Sequence, residues 1–194
     1  MNRRIFLSAL PPAIIMLTKV MSASPAGKKP ALLYFEDDGV VPNSKYPVLL
    51  YRSVFNEHGE RGAVWLEQTF LKNNWYNSWR NGIFTFQHYH SIAHEVLGIY
   101  NGEARVLLGG EQGKIVDVGR GDVIIIPAGV GHKNIGDHDL GVVGAYPDGM
   151  AVDVLRCLPG ERPAADHNIA RVPLPRVHPL HGSDGVKQYW RKKR

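Results

Sequence analysis

The sequence predicts an all-β fold, a sandwich or small barrel, on three observations. Glycine and proline are frequent, at 21 and 13 of 194 residues. Apolar runs are short and bounded by turn residues, and one stretch alone carries a clear helical period. Between residues 84 and 146 short strand patterns follow one another closely, as in a sheet that closes on itself. The length is that of about one domain with room for a substantial core.

Ala31 to Phe35 (ALLYF) reads as a short strand, followed by turn chemistry at Asp37-Asp38-Gly39 and Pro42-Asn43. Val48 to Tyr51 reads as another. From Ala63 to Trp75 a helix is predicted, because Ala63, Leu66, Glu67, Phe70 and Leu71 recur at i, i+3 and i+4. Strands are then predicted at Phe84–His90, Glu95–Tyr100, Ala104–Leu108, Lys114–Val118, Val123–Ile126 and Gly141–Tyr146. A short helix is expected at 163–170, and the Pro-rich stretch from Pro173 is expected to run extended over the surface. No internal repeat and no second domain is visible, so residues 30–190 are read as one domain.

The formal charge of +5 points toward a polyanion partner until it is mapped. Nine of the 23 basic residues lie in the first 29 positions and in the RKKR tail at 191–194, where there is no acid. The body therefore carries 14 basic against 18 acidic residues. A nucleic-acid surface would need Lys and Arg gathered on the folded face, so nucleic acid is excluded as the expected partner. The single cysteine, Cys157, rules out an internal disulfide and any Cys-based zinc site, and is read as a small buried apolar residue.

Residues 1–26 read as an export signal. Paired Arg3 and Arg4 precede an apolar run from Ile5 to Leu17, with small residues near Ala23 and Ala26. Arg3-Arg4-Ile5-Phe6-Leu7 resembles a twin-arginine signal, and the run is too short for a stable membrane anchor. The expected location is the periplasm; translation from Met16 or Met21 would instead leave a cytoplasmic protein.

Three histidines and a glutamate crowd into HYHSIAHE, residues 88–95. In a strand TFQHYH, alternation places Phe84, Phe86, His88 and His90 on one face, and the phenylalanines mark it as the inside. Asn101-Gly102 is a strong two-residue hairpin signal. A type I′ turn there pairs Ile99 with Ala104 and Glu95 with Leu108, so that Glu95 joins the apolar face and His94 the mixed one. A buried carboxylate beside two buried imidazoles is costly unless something positive joins them. A divalent metal would remove that cost; hydrogen-bonded polar residues at a sheet edge are the structural alternative.

Gly82, His88-Tyr89-His90, Glu95 and Gly102 stand at the spacing of the first cupin motif. Gly121, Pro127-Ala128-Gly129 and His132 resemble the second, with Gly136 where that motif has Asn and with Asn134 nearby. The stretches YFEDDG, NSWRNGIFTFQHYHS, GDVIIIPAGVGH, VVGAYP and ARVPLP resemble the YjlB-type single-domain cupins. The resemblance implies a double-stranded β-helix, that is, a jelly-roll barrel with one or two short helices. It implies His88, His90, Glu95 and His132 as ligands of one divalent transition metal, with His94 as competitor to Glu95 but read as outward-facing or supporting. Cupin barrels commonly pair through an outer sheet, so a homodimer is one implied assembly.

Mixed N/O donors without thiolate suit Fe, Mn, Ni or Zn. Two open positions would let a substrate chelate through oxygen. Arg80 is a candidate for pairing with a substrate carboxylate, or else a surface ion pair. Tyr146 is a candidate proton or hydrogen-bond donor, Phe84 and Phe86 are candidates to line the interior, and Trp79 is read as packing. The expected function is a metal-dependent enzyme acting on a small oxygen-rich molecule by oxygenation, isomerisation or decarboxylation. The alternative is a non-catalytic module that holds a small ligand or metal.

Overall fold

A computed structural model describes residues 28–182 and 185–190. The expected export signal at 1–26 and the basic tail at 191–194 lie outside the described residues. Seven strands make one antiparallel sheet that curls into a jelly-roll barrel. They are β1 (Ala31–Phe35), β2 (Ser44–Tyr51), β3 (Trp75–Asn81), β4 (Glu95–Leu108), β5 (Lys114–Gly119), β6 (Val123–Ile126) and β7 (His132–Pro147). Neighbours run β1-β2-β6-β4-β7-β3, with β5 also on β4. The helices are α1 (Gly59–Lys72), α2 (Ala164–Arg171) and α3 (Gly185–Trp190), and none is long and apolar enough to cross a membrane.

The runs VLLY and VIII are apolar without alternation because both faces of β2 and β6 are covered. Val48, Leu50, Ile124 and Ile126 point into the barrel with Leu97, Val106 and Leu108. Leu49, Tyr51, Val123 and Ile125 point outward into a second core formed with Leu66 and Phe70 of α1. Leu180, Val186 and Trp190 belong to this second core, so the segment after Pro173 is packing material and not the surface extension its prolines predict.

Glu95 to Leu108 is one unbroken strand, not the predicted pair joined by a hairpin. It pairs with β6 in its first half, β5 in its second, and β7 along most of its length. Asn101-Gly102 is an irregularity in the β4–β7 ladder: Ile99 faces Val142, Asn101 faces Gly141, and Glu103 faces His138. Gly102 has φ +63°, and a Cβ there would stand 2.1 Å from the His138 carbonyl oxygen. The left-handed conformation that an Asn-Gly turn uses here serves a bulge, which bends the strand and swaps its parity. Ile99 and Ala104 therefore both face the barrel, the same side as in the hairpin reading.

Other boundaries move for local reasons. The helix begins at Gly59 and ends at Lys72; Asn74, at φ +62°, turns the chain so that Trp75 opens β3, a strand the helical period had hidden. Leu71 is exposed, and the buried stripe is Gly62, Ala63, Leu66 and Phe70. Residues 84–87 are irregular, and His88 and Tyr89 form isolated bridges to His132 and Leu155 instead of a strand. β7 starts nine residues before the predicted Gly141. Cys157 is half-buried, at φ +62°.

Candidate metal centre

His132 opens β7 and is tied to His88 by two backbone bonds, His132 N–H to His88 O at 2.8 Å and His88 N–H to His132 O at 3.3 Å. Glu95 opens β4 opposite Ile126. The loop after β6 reaches back, with Gly129 N–H donating to His90 O at 2.8 Å. Four polar side chains thereby meet at one end of the barrel, all of them buried, with Glu95 at 2% exposure and His132 at 1%. One nitrogen from each of His88, His90 and His132 lies within 4.8 Å of the others, so the three histidines could bind a metal.

The ring orientations follow from their hydrogen bonds. His88 Nδ1 faces the Phe86 carbonyl at 3.2 Å, His132 Nδ1 the Val130 carbonyl at 3.1 Å, and His90 Nδ1 the Asp153 carbonyl. A carbonyl only accepts, so each Nδ1 carries a proton, and the neutral form of each ring has its lone pair on Nε2. Glu95 Oε2 stands 3.3 Å from both His90 Nε2 and His132 Nε2, yet it is buried without a hydrogen-bond donor. Three lone pairs and an orphaned carboxylate oxygen at one place are a donor set that fits a cation.

Burial, and then the neighbouring His132 and His90, push the His88 imidazole down to about 3. Burial alone would raise the Glu95 carboxyl, but His90 and His132 outweigh it and hold the group well below the usual carboxylate range. Burial opposes the charged form of His90 too, yet Glu95 and Asp153 raise that ring above its ordinary value. The site thus draws positive charge to the gap between His90 and Glu95.

A cavity of about 270 Å³ opens from this centre and is lined by Trp79, Ile83, Phe84, Leu97, Tyr146 and Val154, among others. Tyr146 is buried, and its hydroxyl accepts a 2.9 Å bond from Trp79 Nε1–H. Trp79 lies across Gly144 of β7, where a Cβ would stand 2.2 Å from the ring, so glycine is what allows the indole to reach Tyr146. Burial and the Glu95 charge push the Tyr146 phenol above its usual range. Trp79 is therefore more than packing.

Other candidates are placed differently. Arg80 borders the cavity, but its guanidinium turns to α1, bonding Glu67 through two nitrogens at 2.6 and 2.8 Å and Glu60 at 2.7 Å. Those contacts make it an ion pair between helix and strand, with three of its five N–H donors engaged by Glu60 and Glu67. Phe84 is 47% exposed and stacks on Phe86, so the pair lies at the rim and not in the interior. His94 is buried, not outward-facing; it lies in the second core against Trp190, with Nδ1 accepting from Ala128 N–H at 2.9 Å. Asn134 is buried and bonds Gly136 N–H and Asp137, bracing a β7 irregularity where the second motif has its usual Asn two positions later. Sequence reasoning missed Asp153 and Val154, which come from a segment with no pattern pointing at the site, and Ser91, which lies inside the histidine motif but has no predicted role there.

No protein-family model matches the chain. It is 36% identical over 162 residues to YjlB of Bacillus subtilis, an uncharacterised protein, with 82% of this chain and 95% of that one covered. The chain belongs to the YjlB family. Several solved structures are similar to part of the chain. They include the 11S globulin of Wrightia tinctoria, at 19% identity over 42% of this chain and a TM-score of 0.34. They also include oxalate decarboxylase of Bacillus subtilis, at 22% identity over 56% of this chain and a TM-score of 0.31. The YjlB-family chain spans 22% of the former and 27% of the latter.

Proposed function

We propose that this YjlB-family cupin is a metal-dependent enzyme. It holds one divalent transition ion, Fe, Mn, Ni or Zn, through His88, His90, Glu95 and His132. Its substrate is a small oxygen-rich molecule, transformed by oxygenation, isomerisation or decarboxylation. The observation that carries this reading is the buried cluster of one nitrogen each from His88, His90 and His132, with the donor-less Glu95 Oε2 at 3.3 Å from two of these rings. Leaving such a set without a cation costs several kcal/mol by ordinary desolvation. When bound, a divalent ion supplies Lewis-acid polarisation of a chelated oxygen and a template for it.

The chain's own residues do the rest. Ile83, Phe84, Leu97 and Val154 shield the cavity from water and hold the apolar part of a ligand. Tyr146, with an oxygen lone pair occupied by Trp79, keeps its proton and turns it toward a ligand oxygen. Tyr146→Phe is expected to retain the metal and to weaken an oxygen-chelating probe such as oxalate about tenfold, the worth of one hydrogen bond. Calorimetry on metal-loaded protein reads this, and equal affinities would remove Tyr146 from the ligand's contacts.

Elemental analysis of protein purified without added metal or an affinity tag tests the central reading. A stoichiometric amount of a single transition ion is expected, and no uptake after reconstitution with each candidate ion would end it. A screen of O₂ uptake and product formation with catechols, oxalate-like acids and sugars tests turnover. Tight binding without turnover would leave a ligand-holding module in place of an enzyme.

A further inference from the structure

The orientation of His90 depends on a segment far along the chain, and in this it differs from its two neighbours. His88 and His132 each donate Nδ1–H to a carbonyl two residues earlier, so their rings are set locally. His90 donates instead to the backbone carbonyl of Asp153, 63 positions away. That carbonyl must be held in place by something.

The Asp153 side chain does it. Its Oδ1 accepts from Ser91 N–H at 2.7 Å, with Ile92 N–H at 3.4 Å, and its Oδ2 accepts from Ser91 Oγ–H at 2.5 Å. Asn168 of α2 donates to Ser91 Oγ at 3.1 Å, fixing the hydroxyl from behind. On the other side of His90, Tyr89 and Leu155 exchange backbone bonds of 2.9 and 3.0 Å. Residues 153 and 155 are thus tied to residues 91 and 89, and Val154 between them forms part of the cavity wall.

We infer that Asp153 is a positioning residue for His90: by gripping Ser91 with its carboxylate it keeps its own carbonyl under His90 Nδ1, and so keeps Nε2 turned toward Glu95. A ring that loses this acceptor is free to flip or to exchange tautomers, and either change withdraws Nε2 from the centre. Groups that orient a metal-ligating histidine in this way matter to affinity by about tenfold to a hundredfold. The affinity argument rests on the metal reading above; the orientation argument does not.

Proton NMR of the metal-free protein with ¹⁵N-labelled histidine reads the orientation directly. Wild type should show a protected, downfield His90 Nδ1–H that Asp153→Ala loses to exchange. Zinc affinity should fall by about tenfold to a hundredfold in the same variant. Asp153→Asn, whose amide oxygen still accepts from Ser91 N–H, should fall between, and Val152→Ala, at an exposed position outside the cavity, should keep both signal and affinity. Retention of the Nδ1–H resonance in Asp153→Ala, with zinc affinity within about twofold of wild type, would overturn the inference. If wild type binds no zinc, the metal reading fails while the resonance still decides the role of Asp153. Should Asp153→Ala fail to fold, Ser91→Ala removes one grip of the clamp, and an unchanged His90 signal there would count against it equally.

Discussion

His132→Ala is expected to strip the protein of its metal, while His94→Ala keeps it. His132 is buried at the mouth of β7 with Nε2 3.3 Å from Glu95. Alanine there removes one donor of four and leaves Glu95 with a single facing imidazole. His94 is the immediate neighbour of Glu95 in sequence, but strand alternation sends it into the other core, where Ala128 and Trp190 hold it. His94→Ala leaves a cavity there and should cost about 2–4 kcal/mol of stability, lowering the melting temperature without emptying the site. Elemental analysis after dialysis, with circular dichroism to confirm folding, separates the two. Metal lost in His94→Ala and kept in His132→Ala would place the wrong face of β4 in the site.

Acidification should destabilise the protein through His178, well away from the metal centre. His178 is fully buried; its Nδ1 accepts Leu180 N–H at 3.0 Å, so Nε2–H donates to the Tyr51 hydroxyl at 2.8 Å. His181 stacks on it with centroids 4.4 Å apart, and Tyr189 faces the same Tyr51. A second proton on His178 would point at an N–H and put a charge beside another imidazole. Burial, with His181 adding to it, pushes His178 down to about 3. The unfolded chain takes up this proton near pH 6.5 and the folded chain does not. The stabilisation is therefore complete above about pH 6.5 and is lost as pH falls toward the folded value, by roughly 3–5 kcal/mol. Out of a typical total of about 5–15 kcal/mol that is decisive. His88 and His94 act in the same direction, so the variant must isolate the effect. His178→Asn is expected to be less stable at pH 8 but to lose less between about pH 7 and 4 in urea unfolding. An unchanged slope would move the acid sensitivity elsewhere.

The site was legible in the sequence to the extent that it depends on strand parity. His88 and His90 lie two apart in extended chain, and Glu95 shares its side of β4 with Leu97 and Ile99. Alternation is local, so it survives errors about what each strand pairs with. Even the wrong hairpin at Asn101-Gly102 left the faces correct, because a two-residue turn and a bulge at Gly102 swap parity alike.

What the sequence by itself determined is thus the all-β character, β6 to the residue, the inward face of the histidine segment and the family motif. Only the tertiary structure decided that β4 runs unbroken along β7, that β3 follows α1, and that the C-terminal segment closes the second core. It also turned Arg80 to Glu60 and Glu67, placed Trp79 on Tyr146, and brought Asp153 under His90. Each of these is a contact between residues distant in sequence. Its energy comes from pairing and burial that no local pattern encodes, whereas alternation and turn preference are properties of a few consecutive residues.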